Sequence, residues 1–174
     1  GQYQLYAWNA SSEGLRQLTH RPEGTFFGTI SPDGCYIYYL LDKGGNEIGH
    51  FVRVPWETGE PEDITPAMVP YSAFGLSISR AGNLIGSIIS NDSGFHTVLM
   101  PVGAGNSIGA PRQLHHSTRM MFGPSLSYGG EFAVITSTER TVFQHNGLVA
   151  FDTTTCKKVR ELWEEGSSLS ASGF

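Results

Sequence analysis

Three histidines, His50, His96 and His145, recur at intervals of 46 and 49 residues. Imidazoles at matching points of a repeating fold share one face, where they could bind a peptide carboxylate or a metal ion. The alternative is that they are polar residues flanking solvent-facing hairpins. Equivalent residues of stacked sheets lie on the order of 10 Å apart, too far for the ~2.0–2.1 Å bonds of one shared metal. No metal and no cofactor is therefore expected. His115 and His116 are adjacent, and neighbours in a strand point to opposite faces, so they read as the exposed end of a strand. In the Asn91-Asp92-Ser93-Gly94 turn, Asp92 is expected to cap its own hairpin.

Covalent catalysis leaves a weaker trace. An exposed serine nucleophile in an elbow needs the pattern G-x-S-x-G before a helix. Gly123-Pro124-Ser125-Leu126-Ser127 and Gly75-Leu76-Ser77-Ile78-Ser79 both lack the final glycine, and no helical pattern follows either. No catalytic residue is assigned. Cys35 and Cys156 stand 121 positions apart, making neither a redox pair nor a zinc set.

The elements that must carry these residues follow from composition and repetition. The chain has 174 residues, of which 22 are glycine, with 16% charged and 11% aromatic. Such a chain is neither a disordered tail nor a helical bundle; it reads as short strands joined by tight turns. A net charge of -5 speaks against a nucleic-acid or anionic-membrane surface. No apolar run approaches a membrane span, and Gly1-Gln2-Tyr3 does not open a signal peptide.

Ser31, Ser79 and Ser127 are 48 residues apart, as are the glycines 34, 82 and 130 that close the same turns. Leu18, Ile64, Leu114 and Leu162 supply a second anchor with spacings of 46, 50 and 48. Each unit reads as four strands. The first strands are 26–30, 74–78 and 121–126; the second are 36–41, 84–89 and 132–136. The third are 50–54, 97–102 and 147–151, and the fourth are 62–65, 112–114 and 158–162. The second strands are nearly continuous apolar runs, the pattern of burial on both faces. Four antiparallel strands per repeat of this length make a β-propeller blade.

The expected fold is all-β, a partial β-propeller of about three and a half blades with a period near 48 residues. Residues 1–24 would end a preceding blade, with strands at 3–8 and 15–18. Blades would occupy 25–69, 70–118 and 119–166, and 167–174 would start a further blade. All would belong to one truncated propeller domain, a piece of a longer polypeptide. Tyr71 and Arg119, in loops entering first strands, could line its central opening or be ordinary connections.

The run Ile30-Ser31-Pro32-Asp33-Gly34-Cys35-Tyr36-Ile37-Tyr38-Tyr39 resembles the propeller repeat of TolB-like proteins and of prolyl-oligopeptidase-family serine peptidases. Residues 42–55, together with 59–66 and Arg16-Gln17-Leu18-Thr19, are similar to acylaminoacyl-peptidase or dipeptidyl-aminopeptidase-like members of that family. Units two and three depart from the motif, with Arg80-Ala81-Gly82 and Tyr128-Gly129-Gly130 in place of Pro-Asp-Gly.

The resemblance implies a propeller that gates short peptides to an α/β-hydrolase domain, which this chain does not contain. It implies a hydrolase of the cytoplasm, with that domain and peptide substrates as partners, and neither nucleic acid nor membrane. The alternatives are a non-enzymatic, periplasmic TolB-like binding propeller and a lactonase-type propeller enzyme. Glu164-Glu165 follows a fourth strand without the helical setting in which dipeptidyl-peptidase relatives use a glutamate pair. Trp8, Trp56 and Trp163 read as packing between blades.

Overall fold

The computed structural model of the chain describes residues 2–57, 59–141 and 145–171. These residues hold fourteen strands and one 3₁₀ turn, Ala104–Asn106. A two-stranded sheet joins β1 (Tyr6–Asn9) and β2 (Gly14–Gln17). Three four-stranded antiparallel sheets follow in simple meander order. The first contains β3 (Thr29–Ile30), β4 (Tyr36–Asp42), β5 (Gly49–Pro55) and β6 (Glu62–Asp63). The second contains β7 (Ser72–Ile78), β8 (Leu84–Asn91), β9 (Gly94–Pro101) and β10 (Arg112–Ser117). The third contains β11 (Met121–Leu126), β12 (Phe132–Ser137), β13 (Gly147–Asp152) and β14 (Lys157–Leu162).

The chain divides into two compact units, Gly1–Gly75 and Leu76–Phe174. In the first, Ile37, Tyr39, Val52 and Val54 form a core with Ala7 from β1, and Trp56 packs against it. In the second, Ile88 and Leu99 join Leu126, Ile135, Val149 and Phe151 in one apolar cluster. Gly86 lets the sheets of this unit meet, since a Cβ there would lie 2.6 Å from Cγ of Pro124. The inner strands are buried on both faces, β8 over six consecutive residues.

The serine period has a direct physical cause. Ser31, Ser79 and Ser127 each accept a hydrogen bond at Oγ from the backbone N–H five residues on, in Tyr36 (2.9 Å), Leu84 (3.1 Å) and Phe132 (3.0 Å). Each serine N–H donates to the carbonyl of that same residue, closing the turn from both sides. Gly34, Gly82 and Gly130 donate to the carbonyl of their serine at 2.8–3.0 Å, with φ of 74°, 74° and 79°. That left-handed backbone is open to glycine and costly for other residues. The serine hydroxyl then donates to Asp33, Asn83 or Glu131.

Several outer elements differ from expectation. β3 is two residues rather than five, and Phe26 and Phe27 before it are exposed. β6 stops at Asp63, although Ile64 and Thr65 are buried beyond it. β10 runs on to Ser117 through a bulge between Gln113 and His115. β9 begins at Gly94 because the hairpin it shares with β8 is tight, pairing Asn91 with Gly94. Leu162 is 55% exposed, unlike its buried counterparts Ile64 and Leu114. Residues 167–171 hold no strand, although Leu169 N–H donates to the Asn146 carbonyl. The rest of the expected 167–174 start of a blade lies outside the described residues.

Candidate functional site

In the first and second four-stranded sheets, chemistry-bearing side chains gather where the second and third strands meet. His50 pairs with Leu41 across β4 and β5, and His96 pairs with Ile89 across β8 and β9. Leu41 and Ile89 are themselves 48 residues apart, so the two histidines hold one register position in successive sheets. The third sheet breaks the series. Ser137, a further 48 residues on, pairs with Gly147, and His145 lies two residues outside the strand. A Cβ at position 147 would run into the Trp163 ring. The expected trio is therefore a pair plus an outlier.

His50 belongs to a connected polar chain. Its Nδ1 lies 2.7 Å from Oδ2 of Asp63, which follows it on β6. The other carboxylate oxygen accepts from Thr65 N–H at 2.7 Å. Thr65 Oγ1 lies 2.9 Å from the Tyr71 hydroxyl, which accepts from Phe51 N–H at 2.8 Å. The His50 and Tyr71 rings are parallel, with centroids 5.8 Å apart. Tyr71 is only 1% exposed, and burial pushes its hydroxyl pKa up to about 12. Tyr71, which by sequence could line an opening or be an ordinary connection, packs inside the first unit. A carboxylate behind an imidazole fixes its tautomer; among the described residues, Nε2 of His50 is buried without a hydrogen-bond partner.

His96 has a different circle. Its Nδ1 lies 2.7 Å from Oε1 of Gln113, and its Nε2 lies 2.9 Å from Ser93 Oγ and 3.3 Å from Asn91 Oδ1. Its ring is 4.6 Å from that of His116. Asn91, not Asp92, caps this hairpin: its Oδ1 accepts from Ser93 N–H at 2.9 Å and from Ser93 Oγ at 2.7 Å. Ser93, His96 and Gln113 thus form a hydroxyl–imidazole–amide chain. An amide cannot stabilise an imidazolium as a carboxylate does, and Asn91 already takes the hydroxyl proton.

The adjacent histidines part as strand geometry requires. His115 Nε2 lies 3.0 Å from Oε1 of Glu139, while His116 Nε2 donates to the Ser93 carbonyl at 2.9 Å. Arg119 is exposed in the bend after β10, its N–H donating to Ser117 Oγ. His145 accepts at its carbonyl from Thr141 Oγ1. Among the described residues no three His, Cys, Asp or Glu side chains come together to hold a metal, and Cys35 and Cys156 are free thiols. Sequence reasoning missed the His96–His116 and His50–Asp63 partnerships, because both depend on hairpin length.

No family model and no curated protein sequence matches the chain. Solved structures do. TolB from Acinetobacter baumannii superposes with a TM-score of 0.68 at 16% identity, over 93% of this chain and 38% of its own. The β-propeller domain of the trilobed protease from Pyrococcus furiosus gives 0.58 at 12% identity, over 76% of this chain and 40% of its own. The fold is a partial β-propeller. A periplasmic gluconolactonase from Pseudomonas aeruginosa shares it at a TM-score of 0.53 and 18% identity, over 84% of this chain and 42% of its own. The propeller blades of this chain are similar to those of TolB-like proteins and of protease propellers, and the chain spans less than half the length of each of these structures.

Proposed function

We propose that this propeller segment belongs to a serine peptidase of the prolyl-oligopeptidase family, where it controls the entry of short peptides to an α/β-hydrolase domain elsewhere in the polypeptide. The observation that carries the reading is the hairpin of β4 and β5, whose residues 42–55 are similar to that family and which folds as the inner pair of a propeller blade. The likeness to the trilobed protease propeller and to the tricorn protease supports it. In this reading the partners are the hydrolase domain and peptide substrates, and the protein works in the cytoplasm.

The test uses the complete polypeptide that contains the chain. A serine-directed fluorophosphonate should label one residue outside 1–174, and the protein should cleave short peptides while sparing folded proteins. A polypeptide with no G-x-S-x-G elbow and no labelling would overturn the peptidase reading.

The superposition on TolB favours a second reading, a non-enzymatic binding propeller of the periplasm. That reading expects an export signal upstream and no label. A lactonase-type propeller expects sugar-lactone hydrolysis by the closed propeller without any hydrolase domain.

A further inference from the structure

We propose that His96 and His116 form a surface site for one divalent transition-metal ion of the copper, nickel or zinc class. The two residues are direct cross-strand partners in the register of β9 and β10. Directly opposed residues of an antiparallel pair project from the same face, and the rings stand 4.6 Å apart with planes inclined by 34°.

Their outer nitrogens converge. Nε2 of His96 lies 2.9 Å from Ser93 Oγ, and Nε2 of His116 lies 2.9 Å from the Ser93 carbonyl oxygen. Asn91 Oδ1, 3.3 Å from His96 Nε2, adds an oxygen on the same side. The hairpin makes room for this. A Cβ on Gly94 would lie 3.3 Å from His116 Nε2 and 2.6 Å from the Ser117 carbonyl, so only glycine lets the end of β10 fold over the turn.

Support behind the ligand is also present. Gln113 Oε1 accepts the Nδ1 proton of His96 at 2.7 Å, which leaves Nε2 as the ligating nitrogen; because Ser93 gives its hydroxyl proton to Asn91, the oxygen beside Nε2 offers a lone pair rather than a proton. A hydrogen bond to the far ring nitrogen is the usual device that orients a ligating histidine. His116 now donates Nε2–H to the Ser93 carbonyl; to ligate through that atom it shifts the proton to Nδ1. Both side chains reach solvent, so water completes the coordination sphere. Imidazole nitrogens suit copper, nickel and zinc, whereas calcium and magnesium need several oxygen ligands. This pair differs from the His50, His96 and His145 trio that the repeat spacing suggests. The bulge between Gln113 and His115 is what brings His116, rather than His115, opposite His96.

The test is titration of the complete polypeptide that contains the chain, free of any histidine tag, with Cu²⁺ by calorimetry and electron paramagnetic resonance, read against the same polypeptide carrying both His96→Ala and His116→Ala. One ion per chain should bind, with hyperfine structure from two imidazole nitrogens. His96→Ala and His116→Ala should each weaken binding by at least about tenfold, and Gln113→Leu by about 10–100-fold. His115→Ala, whose ring turns to Glu139, should leave it unchanged. No stoichiometric binding, binding by either alanine variant as tight as the parent's, or a His115→Ala loss as large as that of His116→Ala overturns the site. If an alanine variant loses its strand signal in circular dichroism, the parent spectrum decides: coordination by fewer than two imidazoles rejects the proposal.

Discussion

Nδ1 of His50 sits 2.7 Å from Oδ2 of Asp63, and the same carboxylate holds the Thr65 N–H at 2.7 Å through its other oxygen. One side chain therefore ties the third strand of its sheet to the buried segment beyond the fourth. Asp63→Ala leaves both donors without their acceptor and should destabilise the fold by about 1–3 kcal/mol. Asp63→Asn, which keeps an acceptor oxygen, should cost less. Urea denaturation of the two variants against the parent measures the order.

Tyr71 makes stability sensitive to alkali. Burial raises its pKa to about 12 in the folded chain, against an ordinary 10.0. The folded state thus holds the phenolic proton more tightly than the unfolded state does. The stabilisation is complete below about pH 10 and is lost as pH rises toward about 12, and two units correspond to roughly 3 kcal/mol. Burial also pushes Tyr38 and Tyr39 upward, so the decline is shared. Tyr71→Phe should flatten the fall of melting temperature between pH 10 and 12 while lowering stability at neutral pH, where its hydroxyl bonds are missing. An unchanged alkaline slope would contradict the assignment.

The turn glycines should not be equivalent. Gly34 faces open space, whereas a Cβ on Gly130 would stand 3.0 Å from Cβ of Leu84. Both substitutions meet the left-handed backbone, worth roughly 1–2 kcal/mol for an L-residue. Only Gly130→Ala also strains packing against Leu84. Chemical denaturation should rank Gly130→Ala as the more damaging of the two.

Gly86→Ala addresses the packing of the second unit. The added methyl would approach Pro124 Cγ to 2.6 Å, and overpacking of this kind costs about 1–3 kcal/mol. The inner strands of both sheets should remain, so near-ultraviolet circular dichroism and melting should change more than far-ultraviolet circular dichroism.

Exposed apolar side chains cluster in the first unit. Tyr6, Trp8, Leu15, Phe26, Phe27 and Ile30 are all more than half exposed, and Leu5, Ala7, Leu18, Ile37 and Trp56 line a groove of about 410 Å³ beside them. Contiguous surfaces of this kind associate or aggregate. The isolated chain should scatter light more steeply than in proportion to its concentration and bind a hydrophobic dye. Trp8→Ser combined with Leu15→Lys should reduce both signals.

The fold was legible because the serine turn needs the same two residues each time, a short hydroxyl and a glycine at positive φ. The polar clusters were not, because hairpin length shifts side chains without disturbing the period. His50 meets Asp63 thirteen positions later, while His96 meets Gln113 seventeen later. His145 resembles them in spacing, yet Gly147 holds the equivalent register. Asp92 looked like the cap of its turn, but Asn91, the last residue of β8, points its oxygen back at Ser93. Tyr71 reads as a loop residue in sequence; only the fold shows its hydroxyl satisfied by Phe51 and Thr65.

The hydroxyl of each turn serine finds its acceptor two positions on in Asp33 but four positions on in Asn83 and Glu131. Three different side chains serve one backbone geometry. Substitution at these sites is therefore nearly free so long as some acceptor remains within reach, and related blades can drift apart in letters while keeping their coordinates. A fold shared with TolB at a TM-score of 0.68 and only 16% identity is what such tolerance permits. The architecture is written in where hydrogen bonds close, and residue identity is its weakest record.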